Sequence, residues 1–126
     1  MADRKNWLIL GANGGIGTEL CRRLTTSDHG VILAGRNEDA LRALSQELNS
    51  PCEVVDATSV DDVQRCIART AESTGGLDGV VNCVGSLLLK PAHLTSPQEW
   101  NDTVATNLTS AFATVRGAFP VLKERG

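Results

Sequence analysis

The chain has 126 residues, 41% of them apolar and 21% charged, with a formal net charge of −3. That is one domain at ~100–200 residues per domain, too apolar for a disordered chain and without the basic surplus that nucleic-acid binding needs. No apolar run approaches the ~18 residues of a membrane span, the opening MADRKNWLIL lacks a signal-peptide pattern, and there is no tyrosine. The expectation is a single cytoplasmic domain over residues 1–126, with neither nucleic acid nor membrane as a partner. Cys21, Cys52, Cys66 and Cys83 form no C-x-x-C pair, and only His29 and His93 could join them. They read as reduced thiols packed like small apolar residues rather than as zinc ligands.

In chain order, short apolar runs alternate with helical stretches. Trp7–Leu10, Val31–Ala34, Glu53–Val55 and Gly79–Val81 read as strands. They lack polar/apolar alternation, as strands buried on both faces do. Leu41, Leu44 and Leu48 recur at helical spacing, as do Val60, Val63, Ile67 and Ala71. A longer stripe runs through Trp100, Val104, Leu108, Ala111, Val115, Phe119 and Leu122. Helix starts are signed by Asn37 before Glu38 and Asp39, by Ser59 before Asp61 and Asp62, and by Ser96-Pro97-Gln98-Glu99. Pro120 is expected to kink or divide the last helix, and Gly126 reads as its stop. The order β-α-β-α-β-α-β-α predicts an α/β fold with an open parallel sheet.

Between the first strand and its helix lies Gly11-Ala12-Asn13-Gly14-Gly15-Ile16-Gly17. A sharp strand-to-helix turn needs positions free of Cβ. The same absence lets a pyrophosphate approach the N–H groups at the helix N-terminus, where the dipole favours an anion. Gly11, Asn13, Gly15, Ile16 and Gly17 are therefore candidate nucleotide-binding residues. At the end of the second strand, ~20 residues past the glycines, a carboxylate would suit the ribose of NAD. This chain has Ala34-Gly35-Arg36-Asn37 instead, and Arg36 suits the 2′-phosphate of NADP. The other role open to Arg36 is a solvated surface residue or a partner of Glu38 or Asp39.

The spacing G-x-x-x-G-x-G resembles that of the short-chain dehydrogenase/reductase family. Its T-G-x-x-x-G-x-G corresponds to Leu10 through Gly17, with leucine in place of threonine. The resemblance implies a Rossmann-type doubly wound parallel sheet, of which this chain carries the first four strands and their helices. It implies an oxidoreductase that moves hydride between NADP(H), less so NAD(H), and a small alcohol or carbonyl substrate. Asp56-Ala57 falls where the family sets an aspartate beside the adenine; the other role open to Asp56 is a charge at the helix start near Ser59. Asn82-Cys83-Val84-Gly85 resembles the family's N-N-A-G. There Asn82 bonds across strand ends and Gly85 makes room for cofactor, roles as structural as they are ligand-binding. Asn107 matches an asparagine that supports the catalytic proton relay, or is an ordinary helix polar residue.

The family's serine and Y-x-x-x-K have no counterpart in this sequence. The expectation is of an N-terminal part, cut before a fifth strand, inactive alone and prone to associate through the open edge of the fourth strand. A noncatalytic nucleotide-binding module and a split subunit completed by another chain are the alternatives. The resemblance also implies a homo-oligomer when complete. The stripe of Leu108, Phe112, Val115 and Phe119 serves either a core or an interface. Leu87, Leu88, Leu89 and His93 either line a substrate entrance or pack.

Overall fold

Leu8, Ile9 and Leu10 are fully buried because β1 (Asn6–Leu10) has a strand on each side. The computed structural model describes residues 3–125. β1 pairs in parallel with β2 (Gly30–Gly35) and with β4 (Gly79–Asn82), and β2 pairs with β3 (Cys52–Val54). The sheet order is β3-β2-β1-β4, so among the described residues β4 is an open edge. The first four strands of a Rossmann-like sheet are present, as the sequence implies. β3 starts one residue earlier than its apolar run, at Cys52, and Val55 still donates to the Gly35 carbonyl at 2.9 Å.

Side chains alternate across the pleat, so each strand feeds two cores. Leu8, Leu10, Ile32 and Ala34 meet Val63, Ile67 and Ala113 on one face. Those residues come from α3 (Val60–Thr74) and α5 (Ser110–Arg125). Ile9, Val31 and Leu33 meet Cys21, Leu41 and Leu44 on the other. These belong to α1 (Gly15–Thr26) and α2 (Glu38–Leu48). The caps form as their residue types predict. Asn37 Oδ1 accepts the Ala40 N–H, and Ser59 Oγ accepts the Asp62 N–H. At α4 (Pro97–Val104), Ser96 Oγ accepts from Glu99 N–H at 3.1 Å while Glu99 Oε1 accepts from Ser96 N–H at 2.9 Å.

The C-terminal stripe behaves differently from a core stripe. A π-helical segment, Ala105–Thr109, joins α4 to α5. Its wider turn shifts the helix register. The face of α5 that packs inward is Ser110, Ala113, Thr114, Gly117 and Ala118. These small residues allow a close approach to α3: a Cβ on Gly117 would lie 2.9 Å from Ile67 Cδ1. Leu108, Phe112, Val115 and Phe119 point outward instead. Of the kink or division expected at Pro120, the division does not occur: α5 runs through it as one helix. Arg116 and Pro120 both lie on the exposed side, where water can satisfy the carbonyl that proline leaves without a donor. Gly126 lies outside the described residues. No helix among them is long and apolar enough to cross a membrane.

Candidate functional site

A cleft of about 350 Å³ opens where the chain leaves the C-terminal ends of β1, β2 and β4. Its position follows from strand order. The sheet is wound outward in both directions from β1, and such a switch point parts the flanking loops.

The glycine turn forms one wall. Gly11 and Ala12 both donate their N–H to the Ala34 carbonyl, at 2.8 and 3.1 Å. Gly11 has φ +74°, and a Cβ there would stand 3.0 Å from the Cys83 and Val84 backbone. Both the conformation and the space demand glycine. A Cβ on Gly17 would run into the Gly11 carbonyl oxygen, so α1 starts tight against the strand end. A Cβ on Gly15 would meet nothing. Gly14, the N-cap of α1, supplies no side-chain acceptor, and the first turn carries no acidic residue. α2, α3 and α4 cap their own first N–H groups with Asn37, Ser59 and Ser96. α1 leaves its own uncapped at the positive end of its dipole.

Arg36 stands at the end of β2 in the same cleft, exposed and without an ion pair among the described residues. Neither neighbouring carboxylate holds it; Glu38 pairs with Arg42. Asn13 also lines the cleft, and a Cβ on Gly35 would sit 2.5 Å from Asn13 Oδ1. Glycine at 35 is what lets the Asn13 amide lie over the end of β2.

Asp56 faces this pair from the end of β3. Its Oδ1 accepts the Thr58 hydroxyl at 2.6 Å and the Thr58 N–H at 3.0 Å. Those bonds, with Arg36 nearby, hold its carboxyl below the usual carboxylate range. Asp56 therefore stays ionised, and its Oδ2 has no protein partner among the described residues. Its N–H donates to Asp62 Oδ2 at 2.7 Å. The side-chain cap of α3 is Ser59, and Asp62 in the first turn of that helix anchors the backbone at Asp56.

The loop after β4 closes the far end. Asn82 Oδ1 accepts from Val84 N–H at 2.9 Å, and its Nδ2 donates to Ser110 Oγ at 3.2 Å. Asn82 therefore ties the strand end to α5 rather than lining the cleft. Asn107, in the π-helical segment, accepts from Ser86 N–H and donates to Ser86 Oγ and the Thr103 carbonyl. Cys83 also lines the cleft, with its thiol pushed up by burial and so protonated at neutral pH.

Of the residues singled out from sequence, Gly11, Asn13, Arg36, Asp56, Ala57 and Gly85 line the cleft. Gly15, Ile16 and Gly17 build the start of α1 beside it, with Ile16 exposed. Asn82 and Asn107 brace the loop behind it. Thr58, Ser86 and Thr106 line it too. Thr58 and Ser86 are hydroxyls directly beyond the Asp56-Ala57 and Gly85 positions, which is the signal that could have found them. Thr106 reaches the cleft through the π turn, which has no mark in the sequence.

The comparisons agree with this geometry. The model of the short chain dehydrogenase family matches residues 5–126. An uncharacterized oxidoreductase of Bacillus subtilis, YuxG, is 34% identical over 130 residues, covering 98% of this chain and 19% of its own length. A short-chain dehydrogenase/reductase of Brucella melitensis, of the glucose/ribitol dehydrogenase type, is 30% identical with TM-score 0.89. That match covers 94% of this chain and 52% of the Brucella chain. A variant of the actinorhodin polyketide ketoreductase, solved with NADPH, is 29% identical with TM-score 0.92 and shares 99% of this chain and 51% of its own. The chain thus spans about half the length of the solved relatives, and less of YuxG. With its glycine turn, its sheet order and this match over nearly its whole length, the chain belongs to the short-chain dehydrogenase family.

Proposed function

We propose that this chain is the N-terminal, NADP(H)-binding part of a short-chain oxidoreductase, folded as one domain. In the complete protein the nucleotide exchanges hydride with an alcohol or carbonyl compound. The observation that carries the reading is the free Arg36 guanidinium, set with the Asn13 amide across one cleft from an uncapped helix N-terminus. The open space over Gly15 fits a pyrophosphate, and the α1 N–H groups would hold it. Arg36 would take the 2′-phosphate as a planar fork, and the unpartnered Asp56 Oδ2 would accept from the adenine amino group. Gly85 leaves room at the far end, while Asn82 and Asn107 keep that end in shape.

The chain by itself offers Asn107 from the family's catalytic set and no tyrosine. It is expected to bind nucleotide without turnover. Calorimetric titration with NADPH and NADH tests this, the expected result being saturable binding with NADPH the tighter. Tighter NADH, or no binding of either, contradicts the reading. The open edge of β4 favours a second form of it, in which another polypeptide completes the sheet. Activity that appears only on adding such a chain would support that form.

A further inference from the structure

Two opposite charges face one cleft without pairing. Arg36 and Asp56 both line it, and the Arg36 charge helps to hold the Asp56 carboxyl low. Yet no ion pair joins them, and Arg36 pairs with no other acid among the described residues. Free side chains of opposite charge at this range would pair, because an exposed Arg–Asp contact is weakly favourable. The fold therefore withholds the carboxylate from the guanidinium.

The backbone does part of this. Val55 N–H donates to the Gly35 carbonyl at 2.9 Å, Asp56 N–H to Asp62 Oδ2 at 2.7 Å, and Ser59 N–H to the Asp56 carbonyl at 3.0 Å. Arg65 stands 3.6 Å from the other oxygen of Asp62. The main chain that carries the Asp56 side chain is thus fixed at both its N–H and its carbonyl.

Thr58 does the rest. It sends two donors to one oxygen: its N–H at 3.0 Å and its hydroxyl at 2.6 Å both reach Asp56 Oδ1. The N–H bond by itself makes the turn from β3 toward α3, as aspartate does two residues before a backbone donor. The hydroxyl bond is not needed for that turn, and it acts on the carboxylate. A second donor on Oδ1 removes much of the swing that one donor would allow.

We infer that Thr58 is a positioning residue for nucleotide choice: by holding Asp56 it keeps Arg36 unpaired for a 2′-phosphate, and so sets how strongly the cleft prefers a phosphorylated dinucleotide. This rests on the reading of the cleft as a nucleotide site. Without the hydroxyl, the carboxylate keeps one bond at Oδ1 and can turn Oδ2 to the guanidinium. A paired Arg36 must then be released before it meets the phosphate. The adenine amino group would lose its acceptor at the same time, but equally for NADPH and NADH. The ratio of the two affinities therefore isolates the effect at Arg36.

The test is calorimetric titration of the full chain with NADPH and with NADH, taken round a double-mutant cycle of Thr58→Val and Asp56→Asn. Valine keeps the shape and the N–H donor and removes the hydroxyl. Thr58→Val should lower the preference for NADPH by about three- to fivefold, the strength of an exposed ion pair. Thr58→Ser, which keeps the hydroxyl, should restore it. Asp56→Asn added to Thr58→Val should also restore it, because an uncharged amide does not compete for Arg36. Asp56→Asn alone should leave the preference within about twofold of the native chain. A preference unchanged by Thr58→Val overturns the inference, as does one that falls and is not recovered by Asp56→Asn. A preference that rises beyond that range with Asp56→Asn alone also overturns it, whether or not Thr58→Val folds, since Asp56 would then already be competing for Arg36. Failure of the native chain to bind NADPH, or tighter NADH, sinks the nucleotide reading and this role with it. A native preference for NADPH that Thr58→Val leaves intact sinks the role of Thr58 alone.

Discussion

Asn107 holds Ser86 by both ends of one amide: Oδ1 accepts from the Ser86 N–H at 3.0 Å, and Nδ2 donates to Ser86 Oγ at 3.1 Å. The same Nδ2 donates to the Thr103 carbonyl at 2.9 Å, one turn back on its own helix. Through that one side chain the helix fixes Ser86 in the loop that follows β4. Asn107→Ala removes all three bonds and should cost about 1–2 kcal/mol of stability, less than three full bonds because the site is exposed. Its sharper mark is faster amide hydrogen exchange at Ser86, read by NMR. Unchanged Ser86 exchange in a folded variant would contradict the bracing role.

Arg36 has a different signature, because a phosphate contact is felt by one nucleotide alone. Arg36→Ala should weaken NADPH by about 1–3 kcal/mol and leave NADH nearly unaffected. The effect should shrink as salt rises, since the pair is solvent-exposed. Equal losses for both nucleotides would remove Arg36 from the 2′-phosphate.

Glu99 should make α4 acid-sensitive. The Ser96 N–H first, then the Lys90 ammonium and the Ser96 hydroxyl, hold its carboxyl down to about 2. Unfolded, the group returns to about 4.3. Its folded value is the lower, so its contribution is complete above the unfolded value and is lost as pH falls toward 2. Denaturation midpoints measured from neutral pH downward should converge for the native chain and Glu99→Gln at the acid end. Parallel curves across that window would rule out the capping carboxylate as the cause.

The outer face of α5 should drive self-association. Leu108, Phe112, Val115 and Phe119 are 58–70% exposed and lie along one side of the helix end of the chain. Sedimentation velocity should show a coefficient that rises with concentration, and Phe112→Ser with Val115→Ser should suppress the rise. If the doubly substituted chain associates as before, the open β4 edge is the contact instead.

The parts of this molecule legible in its sequence are those where one residue type has one physical use. Gly11 must be glycine because of both φ and space, and its place after an apolar run points to the turn. Asn37, Ser59 and Ser96 each cap the helix they precede. The α5 stripe left core and interface both open because size was the guide: helix pairs can close on Ala113, Gly117 and Ala118 while the bulkier residues face away. The π turn was invisible, since Ala105–Thr109 carries no glycine or proline to mark it. Arg36 could be placed at the end of β2 from its position in the chain. That Glu38 would turn to Arg42, and leave the guanidinium unpaired, required side-chain geometry.

The central position of β1 also sets an order of events as the chain emerges during synthesis. Asn6 finds Gly30 after one short crossover, whereas Trp7 waits for Gly79, far down the chain. Closing the longer loop costs more chain entropy and comes later. Through that interval the apolar run Leu8, Ile9 and Leu10 has only one neighbour strand. A nascent chain at that stage presents a sticky template, and it is the arrival of β4 that removes β1 from the reach of other chains.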